Sequence, residues 1–343
     1  MADARFQSQG ALHLPARDIP VPTSVSREAQ ALLALGQLAP AGGVVWPLPA
    51  DVDGWKVLIL EQDRVTLEVL SQGTMASIVG FTSPRSSASV EVEDMLVAGV
   101  SVYVATPGGV AEDDRRVYLD LHGGGFVFGG GDLCRWATAD MAPWIGARVW
   151  SIDYRMPPDH PYPAALDDCV AVYRALLEQR DHTEIIVGGG SAGGNLAAAL
   201  VLRARDEGLP LPAAAVLMTP AVDLTASGDT WQTNMGVDWG FGGSFQPAFS
   251  LYAGEQDVHH PYVSPLYGDF SKAFPPTILT SGTRDVVLSD TVRMHRALRA
   301  AGISAELHVW EAASHGMFMG LAAEDAEHKQ EIRRFIDLHW PPS

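Results

Sequence analysis

The sequence predicts an α/β protein in which helices flank a mostly parallel β-sheet of eight strands. Short apolar segments rich in β-branched residues recur along the chain with helical stretches between them, which is the pattern of such a sheet. The 343 residues contain no internal repeat and no long low-complexity tract. Because a chain of this length can bury a large core, we expect the whole sheet to form one domain.

Eight segments have the length, composition and flanking turns of β-strands. They are residues 89–96, 100–106, 116–121, 148–152, 184–189, 214–219, 276–281 and 304–310. Helical periodicity predicts helices in the stretches between and after these strands. The predicted helices are residues 140–145, 163–178, 192–208, 289–301 and 323–339.

Two stretches do not fit the sheet. Residues 1–85 contain a predicted helix at 26–38 followed by a segment with Trp and Pro, and residues 222–262 form an aromatic-rich insertion after the sixth strand. Loops of this length are uncommon in compact domains unless they act as lids or binding loops. We therefore expect both to form a cap over a catalytic core made of residues 86–221 and 263–343. The alternative is that they only cover hydrophobic core.

The composition argues against several classes of partner. Asp and Glu number 41 against 23 Lys and Arg, and the resulting formal charge of −18 disfavours nucleic acid and anionic membranes. No apolar run approaches the roughly 20 residues needed to cross a bilayer, and the N-terminus lacks the design of a signal peptide, so we expect a cytoplasmic protein. Cys134 and Cys169 match no metal-binding spacing, and we expect two free, buried thiols.

The run Gly-Gly-Gly-Ser-Ala-Gly-Gly at 188–194 lies between a predicted strand and a predicted helix. A serine nucleophile in this position needs a tight, strained turn, and Gly189 and Gly193 remove the side chains that would clash there. The alternatives are a structural turn or a phosphate-binding loop. The run lacks the Gly-Lys-Ser/Thr ending of a phosphate loop, so we predict that Ser191 is a nucleophile.

A second glycine-rich segment, His-Gly-Gly-Gly at 122–125, directly follows the third predicted strand. Hydrolysis of an ester passes through a tetrahedral oxyanion, which preorganised N–H groups stabilise. We predict that the backbone N–H groups of Gly124, Gly125 and Ala192 form this oxyanion hole, and that His122 braces the loop. The alternative is a flexible turn without a catalytic role.

The base and the acid of a serine hydrolase should follow the last two strands, in the order Ser, Asp or Glu, His. His315 and Asp285 occupy these two positions. Asp290 is the alternative acid, although it more naturally belongs to the helix that follows. His259 and His260 lie near Asp257 but lack the further ligands of a metal site. We expect neither a metal nor another cofactor.

Together these segments resemble the hormone-sensitive-lipase-like esterases, the bacterial family IV of carboxylesterases, from about residue 88 to the C-terminus. The resemblance rests on residues 122–125, on 188–194, on Asp-Tyr-Arg-Met-Pro-Pro-Asp-His-Pro-Tyr-Pro-Ala-Ala at 153–165 and on Tyr-Val-Ser-Pro-Leu at 262–266. It implies an α/β-hydrolase fold and a serine carboxylesterase acting on short to medium acyl esters. It also implies a possible homodimer. The family carries Asp or Glu directly before the serine, where this chain has Gly190.

The substrate site is the least constrained part of the prediction. Four apolar side chains near the motifs or in the insertion are expected to contact a small-molecule ester: Phe126, Trp239, Phe241 and Met317. A lactonase, an amidase or a deacetylase could use the same triad. A non-catalytic ligand-binding protein on this scaffold is a further alternative, but the relatives of that kind lack the catalytic histidine, which is present here.

Overall fold

The computed structural model describes residues 18–36, 44–73, 90–239 and 243–340. These ranges contain one eight-stranded sheet, in the spatial order β1-β2-β4-β3-β5-β6-β7-β8. Its strands are β1 (Val92–Val97), β2 (Val100–Ala105), β3 (Val117–Leu121), β4 (Arg148–Asp153), β5 (Ile185–Gly190), β6 (Ala214–Met218), β7 (Thr277–Gly282) and β8 (Ala305–Trp310). The strand β2 pairs antiparallel with β1 and β4, and all other neighbours are parallel. The predicted mostly parallel sheet is confirmed.

Helices cover both faces of the sheet. They are α1 (Arg27–Gly36), α2 (Val52–Ser71), α3 (Asp132–Ile145), α4 (Ala164–Leu177), α5 (Ala192–Asp206), α6 (Thr230–Thr233), α7 (Gln246–Ala253), α8 (Leu288–Ala300) and α9 (Ala323–His339). Apolar side chains of α4, α5 and α8 pack on one face, and those of α3 and α9 pack on the other. No helix in the described ranges has the length and apolar character needed to cross a membrane.

The central strands are mostly apolar because both of their faces are covered. In β3, Val117 and Leu119 point toward the α5 face, while Tyr118 points toward the α9 face. All five residues of β3 are buried. This alternation is the expected consequence of a parallel sheet between two helical layers. Cys134 and Cys169 are free and buried, as predicted.

Three helices differ from the sequence prediction. The 20-residue helix α2 lies where only a segment with Trp and Pro was expected, and it begins after Asp51, whose carboxylate accepts the N–H of Gly54. The helix α3 begins at Asp132, eight residues before the predicted start at 140. The insertion contains α7, which buries Phe249 and Tyr252 in the main core. Each of these helices packs on distant parts of the chain through at least one buried side chain, which local propensity does not report.

Candidate active site

The turn at Ser191 joins β5 to α5 through a single residue. Ser191 has φ 56° and ψ −118°, a conformation that costs an L-residue about 1–3 kcal/mol. Its N–H donates to the carbonyl of Met218 at 2.9 Å, and its carbonyl accepts the N–H of Asn195 at 3.1 Å. These bonds hold the strained turn and place the hydroxyl at the carboxyl end of the sheet.

Close approach of the neighbouring strand explains two glycines of this turn. A Cβ atom at Gly189 would lie 2.4 Å from the carbonyl oxygen of Leu121, and one at Gly193 would lie 1.8 Å from the same atom. The first turn of α5 therefore packs directly against the end of β3. Only glycine permits that contact, and it brings the loop after β3 next to the serine.

A chain of hydrogen bonds connects the three residues predicted as a triad. Nε2 of His315 lies 2.8 Å from Oγ of Ser191, and Nδ1 of His315 lies 2.9 Å from Oδ1 of Asp285. The Asp285 carboxylate is fully buried and also accepts the hydroxyl of Ser281 at 2.6 Å and the N–H of Val287 at 3.0 Å. These two further donors hold the carboxylate in place beside the imidazole.

Asp290, the alternative acid, forms its hydrogen bonds with other residues. It lies in the first turn of α8, where its carboxyl group accepts the indole N–H of Trp231 at 3.1 Å and the N–H of Asp223 at 3.2 Å. Burial and the nearby charge of Asp223 raise the pKa of Asp290 well above its ordinary value. Nδ1 of His315 donates to Asp285 instead.

Opposing influences act on the pKa of His315. Burial lowers the pKa, because a charged imidazolium loses hydration, whereas the charge and hydrogen bond of Asp285 and the charge of Asp238 raise it. The net result is a pKa above the ordinary value of 6.5. A raised pKa makes the neutral imidazole a stronger base toward the proton of a hydroxyl.

Asp238 is a part of the site that the sequence prediction missed. Its buried carboxylate accepts the backbone N–H of His315 at 3.1 Å and that of Val286 at 3.0 Å. Burial raises the pKa of Asp238 to about 6, His315 opposes that rise, and Asp285 adds to it. One sequence signal was available, because this carboxylate stands in the aromatic insertion directly before Trp239.

The loop at 122–125 lies beside the nucleophile. An atom at the Cβ position of Gly123 would lie 3.6 Å from Cβ of Ser191. Gly124 has φ 111°, and a Cβ there would lie 2.2 Å from the carbonyl oxygen of Phe128. The carbonyl of Gly124 accepts the N–H of Phe128 at 2.8 Å, which closes the loop on itself.

His122 has contacts that hold this loop in place. Its ring stacks on Tyr154 with 4.0 Å between ring centroids, and the Tyr154 hydroxyl donates to the carbonyl oxygen of His122 at 2.8 Å. Nδ1 of His122 lies 2.8 Å from the carbonyl oxygen of Gly123. Burial lowers the pKa of His122. One face of the His122 ring therefore packs on Tyr154, and one ring nitrogen contacts the carbonyl of Gly123.

Two cavities open near the turn at Ser191. The larger, about 510 Å³, lies between α2 and the loop at 122–129, and the smaller, about 320 Å³, lies between α3 and the loop after β8. Leu70 and Ala137 line both cavities, so the two adjoin each other. Gly123 and Gly124 line the larger one, while Gly190 lines the smaller one.

The helix α2 is tied to the loop after β3 by Asp63. Its carboxylate accepts the N–H of Gly129 at 3.0 Å and also lines the larger cavity. Burial raises the pKa of Asp63 to about 6, although the Gly129 hydrogen bond opposes that rise. Trp55 of α2 is fully buried near Phe128. The N-terminal segment is therefore part of the wall around the site.

The four residues predicted to contact substrate have different positions. Met317 lines the smaller cavity. Trp239 packs half-buried beside the cluster that contains Met317, and Phe241 lies outside the described residues. Phe126 is fully buried with its ring stacked on Tyr252 at 3.9 Å, so its ring belongs to the core and its position gives no support to a substrate contact.

Known proteins share this sequence pattern and this architecture. The pattern of the α/β-hydrolase fold family matches residues 118–319. An acetyl-hydrolase of Streptomyces hygroscopicus is 34% identical over 207 residues, which are 60% of this chain and 69% of the relative. The crystal structure of an esterase, E25, matches with a TM-score of 0.82 at 34% identity and covers 96% of this chain and 99% of that one. An esterase of the bacterial hormone-sensitive lipase family has a TM-score of 0.74 at 28% identity, covering 92% and 99%.

Proposed function

Because this chain belongs to the α/β-hydrolase family, as one of its hormone-sensitive-lipase-like carboxylic-ester hydrolases, we propose that it cleaves short to medium acyl esters through an acyl-enzyme on Ser191. The observation that carries this proposal is the continuous hydrogen-bond chain from Ser191 through His315 to Asp285. Such a chain is the recurring arrangement for activating a serine hydroxyl.

In the first step, Oγ of Ser191 attacks the ester carbonyl while Nε2 of His315 takes the hydroxyl proton. The 2.8 Å separation of these two atoms is within the range that direct proton transfer requires. Asp285 holds the imidazole in the tautomer whose free nitrogen faces the serine, and its negative charge stabilises the imidazolium that forms.

The developing oxyanion is stabilised by the backbone N–H groups of Gly124, Gly125 and Ala192. Two features support this assignment. The loop that carries the two glycines approaches the Cβ of Ser191 closely, and Ala192 is the first residue of α5, where helix N–H groups have no intrahelical acceptor. Removal of a donor of this kind costs about 2.7–4 kcal/mol of transition-state stabilisation in other hydrolases.

Collapse of the tetrahedral intermediate requires a proton on the leaving alkoxide, which His315 supplies from Nε2. A water molecule then attacks the acyl-enzyme, and the same histidine accepts its proton. The acid product leaves and the Ser191 hydroxyl is restored.

The N-terminal segment and the insertion at 222–262 act as a cap in this proposal. The support is that each contributes to the wall of the larger cavity, α2 through Asp63 and the insertion through Phe245. Trp46 of the N-terminal segment packs edge-on against Phe245, with ring centroids 5.1 Å apart. An apolar wall of this kind suits the acyl chain of an ester, because burial of its methylene groups favours binding.

The test compares wild type with Ser191→Ala on p-nitrophenyl acetate, butyrate, octanoate and palmitate at neutral pH. Ser271→Ala is the matched control, because Ser271 is exposed and its hydroxyl donates to the neighbouring Asp269. We expect turnover in wild type and in the control, a collapse in Ser191→Ala, and a fall in rate toward palmitate. A folded wild-type protein without Ser191-dependent turnover on any of these esters would contradict the proposal, and lactones and amides would then be assayed with the same pair.

A further inference from the structure

Most glycines of the 188–194 run are required by their surroundings. A Cβ atom would lie 2.9 Å or less from a neighbouring atom at four of the five positions, Gly188, Gly189, Gly193 and Gly194. Gly190 is the exception, because a Cβ there would meet only the carbonyl oxygen of Met218, at 3.9 Å. Its φ also lies outside the left-handed region that favours glycine. Neither sterics nor backbone conformation demands glycine at 190.

The space beside Gly190 is the smaller cavity, about 320 Å³ in volume. Since Gly190 lines this cavity and a Cβ at 190 would meet open space, any larger side chain would project into it. The cavity therefore reaches the residue directly before the nucleophile. Its volume falls at the lower end of the roughly 300–1,000 Å³ typical of small-molecule sites.

The wall of this cavity is mostly apolar, although Asp140, Asp325 and Lys329 also line it. Six large side chains contribute to it: Trp136, Met141, Trp144, Met218, Met317 and Met319. Methionine adapts its shape to irregular apolar ligands, and tryptophan offers a broad flat face. His328 also lines the cavity, but burial lowers its pKa to about 4, so this ring adds no charge at neutral pH.

Backbone strain supports a binding role for this wall. Met317 and Met319 both have left-handed backbones, with φ 64° and 56°. The residue between them, Phe318, is fully buried, and its N–H donates to the Asp325 carboxylate at 3.1 Å. Positive φ is unfavourable for methionine, and such strain concentrates at ligand sites. This loop adopts it at two residues that line the cavity.

The position of His315 indicates which half of the ester enters each cavity. The smaller cavity is lined by Gly316 and Met317, which directly follow His315, whereas the larger is lined by Gly123 and Gly124 of the oxyanion loop. The leaving alkoxide receives its proton from His315, so the alcohol half of the substrate lies on the side of the base. The acyl half then extends into the larger cavity.

We propose that the smaller cavity binds the alcohol part of the ester and that Gly190 determines the size of alcohol accepted. The inference rests on the proposed esterase function and adds a substrate class, esters of bulky apolar alcohols such as aryl alcohols. A glycine at 190 keeps the alcohol cavity open to the serine. A larger side chain there fills the part of the cavity nearest the reacting bond.

The test uses two substrate series and two variants that fill the cavity from different sides. Gly190→Leu fills it from the nucleophile turn, and Met141→Trp fills it from α3 without altering that turn. Gly108→Leu is the matched control, because Gly108 is exposed, has no atom within 4 Å of a built Cβ and lacks a left-handed φ. The measured quantity is the ratio of kcat/KM for 2-naphthyl acetate to that for ethyl acetate.

We expect this ratio to fall about tenfold or more in both cavity-filling variants, because filling an apolar pocket discriminates strongly by size. The control should keep the wild-type ratio. The ratio of p-nitrophenyl octanoate to p-nitrophenyl acetate should stay at its wild-type value in every variant, since those substrates share one alcohol. Circular dichroism establishes which variants fold, and either folded variant is sufficient for the comparison.

Two results would overturn the proposal. One is an unchanged naphthyl-to-ethyl ratio in a folded cavity-filling variant, and the other is a change confined to the acyl series. Failure of the esterase function has a different signature, because wild-type turnover of ethyl acetate would then be absent or would persist in Ser191→Ala. The two failures are therefore separable within the same set of assays.

Discussion

While Asp285 binds the imidazole of His315 at 2.9 Å, the carboxylate of Asp238 accepts the backbone N–H of the same residue at 3.1 Å. The same carboxylate accepts the N–H of Val286, directly after Asp285. One buried side chain of the insertion thus ties the loop of the base to the loop of the acid. The insertion contributes this carboxylate in addition to part of the cavity wall.

Replacement Asp238→Asn should move the acid limb of the pH profile to lower pH. The negative charge of Asp238 raises the pKa of His315, and His315 must be neutral to act as base. The wild-type limb should lie above the ordinary histidine value of 6.5. The measurement is kcat/KM for p-nitrophenyl acetate from about pH 5 to about pH 8.

Asp229→Asn is the control for this profile, because Asp229 is an exposed carboxylate of the same insertion. It should leave the acid limb where the wild type has it. An Asn oxygen at 238 can still accept both backbone N–H groups. A variant that loses activity while its profile stays in place would show that Asp238 acts through structure alone.

Replacement Asp285→Asn should reduce kcat by about 10³- to 10⁴-fold, because the amide favours the wrong imidazole tautomer and cannot stabilise the imidazolium. Asp290→Asn is its control. The Asp290 carboxyl group accepts hydrogen bonds from Trp231 and Asp223, whereas the imidazole of His315 contacts Asp285, so this change should leave the triad in place. Single-turnover and steady-state rates on p-nitrophenyl butyrate check both variants, and the reverse ranking would make Asp290 the acid.

Replacement Asp63→Asn should change how stability depends on pH. Burial raises the pKa of Asp63 from 3.8 to about 6, so the folded protein holds this proton more tightly than the unfolded chain does. The resulting stability is present below about pH 4 and is lost as the pH rises through about 6. The amide stays neutral, so the variant should gain free energy of unfolding relative to wild type between about pH 4 and about pH 7.

Urea unfolding at about pH 4 and at about pH 7 measures this difference in the free energy of unfolding. Glu93→Gln is the control for the change in net charge, because Glu93 is an exposed residue of β1. An advantage for Asp63→Asn that is the same at both pH values would contradict the assigned cause. A relative gain at the lower pH would contradict the sign.

Replacement Gly193→Ala should lower the free energy of unfolding by about 3 kcal/mol or more, because the new methyl group would overlap the carbonyl oxygen of Leu121. Gly108→Ala introduces the same methyl group into open space and should change stability little. Urea titration followed by circular dichroism compares the two. Similar midpoints for both variants would mean that the α5–β3 contact relaxes more easily than its geometry indicates.

The sequence predicted those parts of the protein whose pattern lies within one short stretch of the chain. The turn at Ser191 is recognisable because strand, glycines and helix are adjacent in the chain. Asp238 was missed because its partner His315 is 77 residues away. The helix α2 was missed because its apolar residues do not form one buried stripe: Val57 and Leu60 are 69% and 72% exposed. Such a helix is defined by what packs against it, and that partner is distant in sequence.

The proposed catalytic groups follow β3, β5, β7 and β8, with β6 lying between β5 and β7. The strand β6 carries none of these groups but joins β5 to β7, so the groups meet only when all five strands are in the sheet. The rate of ester turnover is therefore proportional to the number of molecules in which this part of the sheet is complete. In a refolding experiment, the rate at which turnover returns would therefore report when the last of these strands joins the sheet. It would also distinguish a compact intermediate, which has no turnover, from the native protein.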